Sequence, residues 1–118
     1  MKYVLTIYQT PEAFALRQDA ARAEAYTGGW ISYANALIEA GVLIGGAGLE
    51  TPETATTLRF GEGQQVEDGP FADTKEQLGG FFIIDVADLD AAMKWAGRAP
   101  LTHGGSIEIR AITHATNL

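Results

Sequence analysis

The sequence predicts a single α+β domain of ferredoxin-like type: an antiparallel sheet, two helices on one of its faces, and an inserted β-hairpin. Three observations carry this. The 118 residues suffice for one hydrophobic core and no second. Stretches near residues 2–8, 81–86 and 106–110 have the alternating or continuous apolar pattern of strands. Two others, within 19–40 and 88–96, carry apolar stripes at helical spacing. The order along the chain is β-α-β, a hairpin, then β-α-β.

Lys2 to Tyr8 alternates, with Tyr3, Leu5 and Ile7 on one face and Val4, Thr6 and Tyr8 on the other. Both faces carry apolar groups, so this strand is central. Thr10-Pro11-Glu12 supplies an N-cap, a proline at the first helical position and an acid in the first turn of a short helix. The main helix is expected from Asp19 to Ala40. Tyr26, Trp30, Tyr33 and Leu37 recur along it, Ala34 and Ile38 widen the stripe, and Gly41 closes it. Gly28-Gly29 inside it marks close backbone packing or a local break. Val42-Leu43-Ile44 begins a second strand that ends in the glycine run Gly45 to Gly48. Ala55 to Phe60 and Gln64 to Glu67 flank Gly61-Glu62-Gly63 as a hairpin. Phe81 to Val86 is a buried strand. Asp88 caps a second helix with Leu89, Ala92, Met93 and Ala96 on its inner face and Pro100 beyond its end. Ser106 to Arg110 alternates as the last strand.

Hydrophobic residues make up 47% and charged residues 19%, a composition that folds. Fifteen acidic against eight basic residues give a net charge of −7, which repels phosphate and argues against nucleic-acid or anionic-membrane partners. No apolar run reaches a membrane span, and the opening stretch is too short for a signal-peptide core, so a cytoplasmic chain is expected. The absence of cysteine excludes disulfides, thiolate zinc sites and a cysteine nucleophile. Two histidines without a third ligand give no case for a metal. Gly45 to Gly48 lacks the lysine and following helix of a phosphate loop, and no cofactor is expected. Helices on one face leave Val4, Thr6 and Tyr8, or their alternates along the strand, and aromatic groups of the Phe81-Phe82 strand uncovered on the other. A second copy of the chain is the expected cover, as a twofold homodimer, with a small-molecule cleft between the two sheets.

The stretch from Asp68 to Gly80 is the richest in chemistry. Asp68 is an acid or base held by Gly69-Pro70, or else a turn residue capping the backbone. Phe71 is an apolar anchor. Asp73 and Glu76 have the spacing of an N-cap and its N3 acid, which predicts one helical turn containing Lys75. Asp73 and Lys75 would then line a polar mouth. His103, before Gly104-Gly105, is the second candidate catalytic group, against the alternative of a solvated loop histidine. His114 lies in a fraying tail. Glu108 shares a strand face with Arg110, lining the cavity or forming a solvated pair. Trp30 is a core residue of the helical stripe or a ligand-binding wall.

Asp68-Gly69-Pro70-Phe71, followed by Ala72-Asp73-Thr74-Lys75-Glu76-Gln77-Leu78-Gly79-Gly80-Phe81, resembles the signature of the DGPF-domain branch of the YCII-related proteins. The similarity extends to the opening strand, Gly45 to Leu49, Ile84-Asp85-Val86 and Gly105 to Arg110. The resemblance implies a ferredoxin-like subunit in a dimeric α/β barrel. For some YCII-like relatives it implies lyase-type chemistry on chlorinated aromatic compounds, through a first-helix histidine paired with an aspartate. Counted back from Gly41, that histidine's place falls at about Trp30, and the helix holds no histidine. The dyad is therefore not present in that form. DGPF proteins also resemble companions of extracytoplasmic-function sigma factors, which implies a noncatalytic regulatory or accessory protein as the alternative. The function expected is a homodimer that binds a small molecule, with lyase-like acid/base chemistry.

Overall fold

A computed structural model describes residues 1–118. The elements run β1 (Lys2–Gln9), α1 (Pro11–Leu16), α2 (Ala23–Glu39), β2 (Leu43–Gly48), β3 (Thr56–Gly61), β4 (Gly63–Asp68), β5 (Gln77–Asp85), α3 (Leu89–Ala96) and β6 (Ser106–Ala111). Four strands form one antiparallel sheet in the order β2-β5-β1-β6. That order, with the first strand inside, is the ferredoxin-like arrangement the sequence predicts. β3 and β4 pair only with each other, so the hairpin is a separate two-stranded sheet. No helix is long and apolar enough to cross a membrane.

Alternation along β1 divides the two faces. Tyr3, Leu5, Ile7 and Gln9 are buried, and their neighbours are half-buried. Tyr3, Leu5 and Ile84 meet Tyr33 and Leu37 of α2 and Ala92 of α3 in one cluster, so both helices cover this face. Leu5, Leu37 and Ile84 are fully buried, and each such side chain contributes about 2–3 kcal/mol. Val4, Thr6 and Tyr8 turn the other way, with Phe81 opposite Thr6 and Ile83 opposite Val4. Phe82 points inward and only Phe81 outward, so the aromatic pair divides between the faces.

Several boundaries differ from the sequence expectation. α2 starts at Ala23 rather than Asp19, because the Asp19 carboxylate accepts the Ala21 N–H at 2.9 Å and closes a turn before the helix. The helix runs unbroken through Gly28-Gly29. A Cβ would make only ordinary contact with Pro100 at 3.7 Å on Gly29 and would meet nothing within 4 Å on Gly28, so the pair marks neither a break nor close backbone packing. Past the helix, Gly41 at φ +72° donates to the Ile38 carbonyl at 2.9 Å, and Val42 donates to that of Leu37 at 3.1 Å. β2 starts at Leu43 and, as expected, ends in the glycine run at Gly48. β5 begins at Gln77 rather than Phe81 and ends at Asp85, leaving Val86 outside. Asp73 and Glu76 open no helical turn. Instead the Gln77 Nε2 donates to the carbonyls of Ala72 at 2.6 Å and Thr74 at 2.9 Å, which holds that segment as an irregular loop. Leu89, Met93 and Ile38 are about half exposed, and α3 packs through Ala91, Ala92, Trp95 and Ala96.

Candidate functional site

A cavity of about 440 Å³ opens on the helix-covered side of the sheet, where α2 passes over β2, β5 and the end of β1. Glycine backbone forms its floor. Gly46 and Gly48 of β2 and Gly79 and Gly80 of β5 all line it, and Gly48 pairs directly with Gly80. A Cβ on Gly46 would lie 2.6 Å from the Phe81 carbonyl oxygen and 2.8 Å from Phe82 Cδ1, so backbone and ring occupy the space of a side chain. A Cβ on Gly48 would meet nothing within 4 Å.

One wall is aromatic. Trp30 stacks on Phe82 with centroids 6.4 Å apart and meets Tyr33 edge-on at 5.9 Å. Tyr33 is fixed in turn by its hydroxyl, which donates to the Trp95 carbonyl at 2.7 Å. Burial pushes the Tyr33 phenol up to about 12. The indole N–H of Trp30 is buried with no hydrogen-bond acceptor.

The other end is polar. Gln9 continues the inward row of β1 and is only 3% exposed. The Arg17 Nη2 donates to Gln9 Oε1 at 2.9 Å and to the Gly79 carbonyl at 3.2 Å, and Nη1 donates to the Leu49 carbonyl. The Gln9 Nε2 donates to the Tyr26 hydroxyl oxygen. Gln9 fills the space a side chain on Gly79 would need: a Cβ there would overlap Gln9 Oε1. The Arg17 guanidinium also lies over the Phe14 ring at 5.0 Å.

Of the residues singled out from sequence, Trp30 lines this cavity and the others lie elsewhere. Asp68 is exposed at the end of β4, and His103 is exposed, its Nδ1 3.0 Å from the Thr102 hydroxyl. Phe71 is 75% exposed beside Pro70 and Tyr8, under the Arg59 guanidinium. Asp73 and Lys75 share a shallow groove with Pro11 and Pro52, and Lys75 and Glu108 share another with Tyr8. Glu108 pairs with Arg110 Nε at 2.9 Å. No three His, Asp or Glu side chains are placed to share a metal ion. Sequence reading passed over Gln9, Arg17, Gly46 and Gly79 as cavity groups. Gln9 carried a signal, as the polar end of an otherwise apolar inward row. Arg17 carried none.

The sequence profile of the YCII-related domain matches residues 1–116. A protein of Rhizobium meliloti (strain 1021), itself uncharacterised, is 47% identical over 78 residues, spanning 62% of this chain and 61% of that protein. Among solved structures, the fold is similar to that of a 5-chloro-2-hydroxyhydroquinone dehydrochlorinase from Burkholderia phenoliruptrix AC1100, solved in complex with 2,5-dihydroxybenzoquinone. The TM-score is 0.55 at 17% identity, over 98% of this chain and 96% of that one. At that identity the likeness concerns the fold.

Proposed function

The chain belongs to the YCII-related family, and from that premise we propose that it binds a small planar molecule with oxygen substituents in the cavity between α2 and the sheet. The observation that carries this is the cavity's division into an aromatic wall at Trp30 and Phe82 and a polar end at Gln9, Arg17 and Tyr26. A flat ring stacks on the first while its oxygens meet the second. The dihydroxybenzoquinone held by the dehydrochlorinase of like fold is a ligand of that shape. Acid/base work of lyase type on such a ligand would use the Tyr26 hydroxyl, which stands at the polar end of the cavity.

Equilibrium dialysis with 2,5-dihydroxybenzoquinone tests this. Saturable one-site binding is expected, and Gly48→Leu should abolish it while the protein stays folded, since the new side chain enters open space. Binding that persists unchanged in Gly48→Leu places the ligand elsewhere. The open sheet face is read as the surface for a second copy. Val4, Thr6, Tyr8, Phe81 and Ile83 make one half-buried, largely apolar stretch, and a stable dimer would bury on the order of 1,500 Å² there. Light scattering should return twice the mass of the chain; a monomer mass contradicts it.

A further inference from the structure

Resting on that cavity as the ligand site, we propose that it takes its ligand as an anion: a planar acid, enolate or phenolate whose charged oxygen faces Arg17 and Tyr26. The direction of the hydrogen bonds at the polar end leads there. A guanidinium only donates, so Gln9 must turn its oxygen to Arg17 and its amide nitrogen to Tyr26. The Tyr26 oxygen is thereby an acceptor in that bond, and its own O–H is left to donate. Arg17 uses three of its five N–H groups on Leu49, Gln9 and Gly79, which leaves Nε–H and one Nη1–H. With the Thr27 hydroxyl apart, since it can play either role, four free side-chain donors remain at this end, two on Arg17 and one each on Gln9 Nε2 and Tyr26, against the acceptor sites left on Gln9 Oε1 and the Tyr26 oxygen. Donors are in excess, and a ligand rich in acceptors suits that balance.

Charge points the same way. The molecule's ion pairs join the Met1 ammonium to Asp85, Arg59 to Glu67 and Arg110 to Glu108, and Arg17 is in none of them. Its acceptors are neutral carbonyl dipoles, so a half-buried cation stands at the cavity without a counter-ion. An acid bound beside such a cation is held in its ionised form, with its pKa lowered by about 1–3 units. The chain as a whole carries −7 and repels anions at range. Arg17 therefore acts at contact, as a selector of the ionised form rather than a long-range attractor.

The test uses 4-nitrophenol and its methyl ether, 4-nitroanisole, which has the same ring and cannot ionise. Protein is titrated into each at a pH below the phenol's own pKa. The expected result is growth of the yellow phenolate band on binding, with the apparent pKa of bound nitrophenol lowered by about one unit or more, and the ether bound at least about tenfold more weakly. Arg17→Gln should remove the pKa shift and Arg17→Lys should keep part of it. Tyr26→Phe should weaken phenolate binding without changing the charge of the site. Because Arg17 ties α1 to β2 and β5, circular dichroism checks that each variant folds. If Arg17→Gln does not fold, the phenol–ether comparison on the native protein decides alone. Equal affinity for phenol and ether with an unmoved pKa leaves the cavity standing and overturns the anion proposal. Failure of both probes to bind, or binding that survives Gly48→Leu, overturns the cavity reading and this proposal with it.

Discussion

Two regions of this molecule differ in how they use their side chains. The loop from Asp68 to Glu76 holds the most recognisable motif in the sequence, yet Asp68, Phe71, Asp73 and Lys75 all point to solvent. Much of its ordering uses the main chain. Gly69 stands at φ +109°, its N–H meets the Ala55 carbonyl at 2.6 Å, and its own carbonyl accepts the Thr57 hydroxyl at 2.8 Å. The cavity is the reverse case. Gln9, Arg17, Tyr26, Trp30, Gly46 and Gly79 form no motif and come from five separate segments, yet they converge on one space. A compact motif can record what a backbone turn needs, while a binding space can be assembled from positions that sequence proximity does not connect.

The two regions meet at Gly79, and glycine substitutions on each side separate them most strongly. Gly46→Ala should cost about 3 kcal/mol in a denaturant titration, because the new methyl meets the Phe81 carbonyl, which the sheet prevents from moving. It should also close the cavity to ligand. In the loop, Gly69→Ala should cost about 1–2 kcal/mol through its positive φ alone and leave ligand affinity unchanged. Equal effects of the two on binding would erase the distinction.

Gln9→Ala comes next. It removes an acceptor from Arg17 and a donor from Tyr26 at a buried position, which should cost about 1–3 kcal/mol of stability.

Alkaline pH probes the aromatic wall. The Tyr33 phenol is raised to about 12 in the folded protein, against 10.0 for a free tyrosine side chain. The folded state therefore holds this proton more tightly than the unfolded chain does. Its contribution is complete below pH 10 and is lost as the pH rises from there through about 12. Stability measured across that window should fall in the native protein and fall less in Tyr33→Phe. An identical decline in both would show that Tyr33 does not govern it.

The smallest effects are expected at the residues the sequence ranked first. Asp68→Asn and His103→Asn should each change stability by less than about 0.5 kcal/mol, being exposed. Neither should alter ligand affinity in dialysis. A large loss of binding in either would return the site to the loop or to the entry of β6.

What was legible in the sequence divides along physical lines. Alternation in Lys2 to Tyr8 and the stripe Tyr26-Trp30-Tyr33-Leu37 gave the sheet and the main helix, because burial imposes a period on the chain. The caps at Thr10 and Asp88 were equally readable: their side chains accept the Ala13 and Ala91 N–H groups. The start of α2 was not, since Asp19 serves an isolated turn as readily as a helix. The inner face of α3 was misassigned at Leu89 and Met93 because small residues pack closer to the sheet there. The cavity itself lay beyond local pattern. Gly45 to Gly48 reads as the end of a strand, and only the pairing of β2 with β5 turns it into a floor. Arg17 acquires its meaning from Gln9, Leu49 and Gly79, which the fold alone brings to it.

The most direct test of where the site lies is a two-dimensional ¹H–¹⁵N spectrum during titration with 2,5-dihydroxybenzoquinone. The chain has two tryptophans, so two indole N–H signals report separately. The account requires the Trp30 indole, the Arg17 Nε–H and the Gly46 and Gly79 amides to shift together along one saturating curve, with the Trp95 indole and the amides of residues 68–76 still. Shifts confined to residues 68–76, with the Trp30 indole unmoved at saturation, would contradict it.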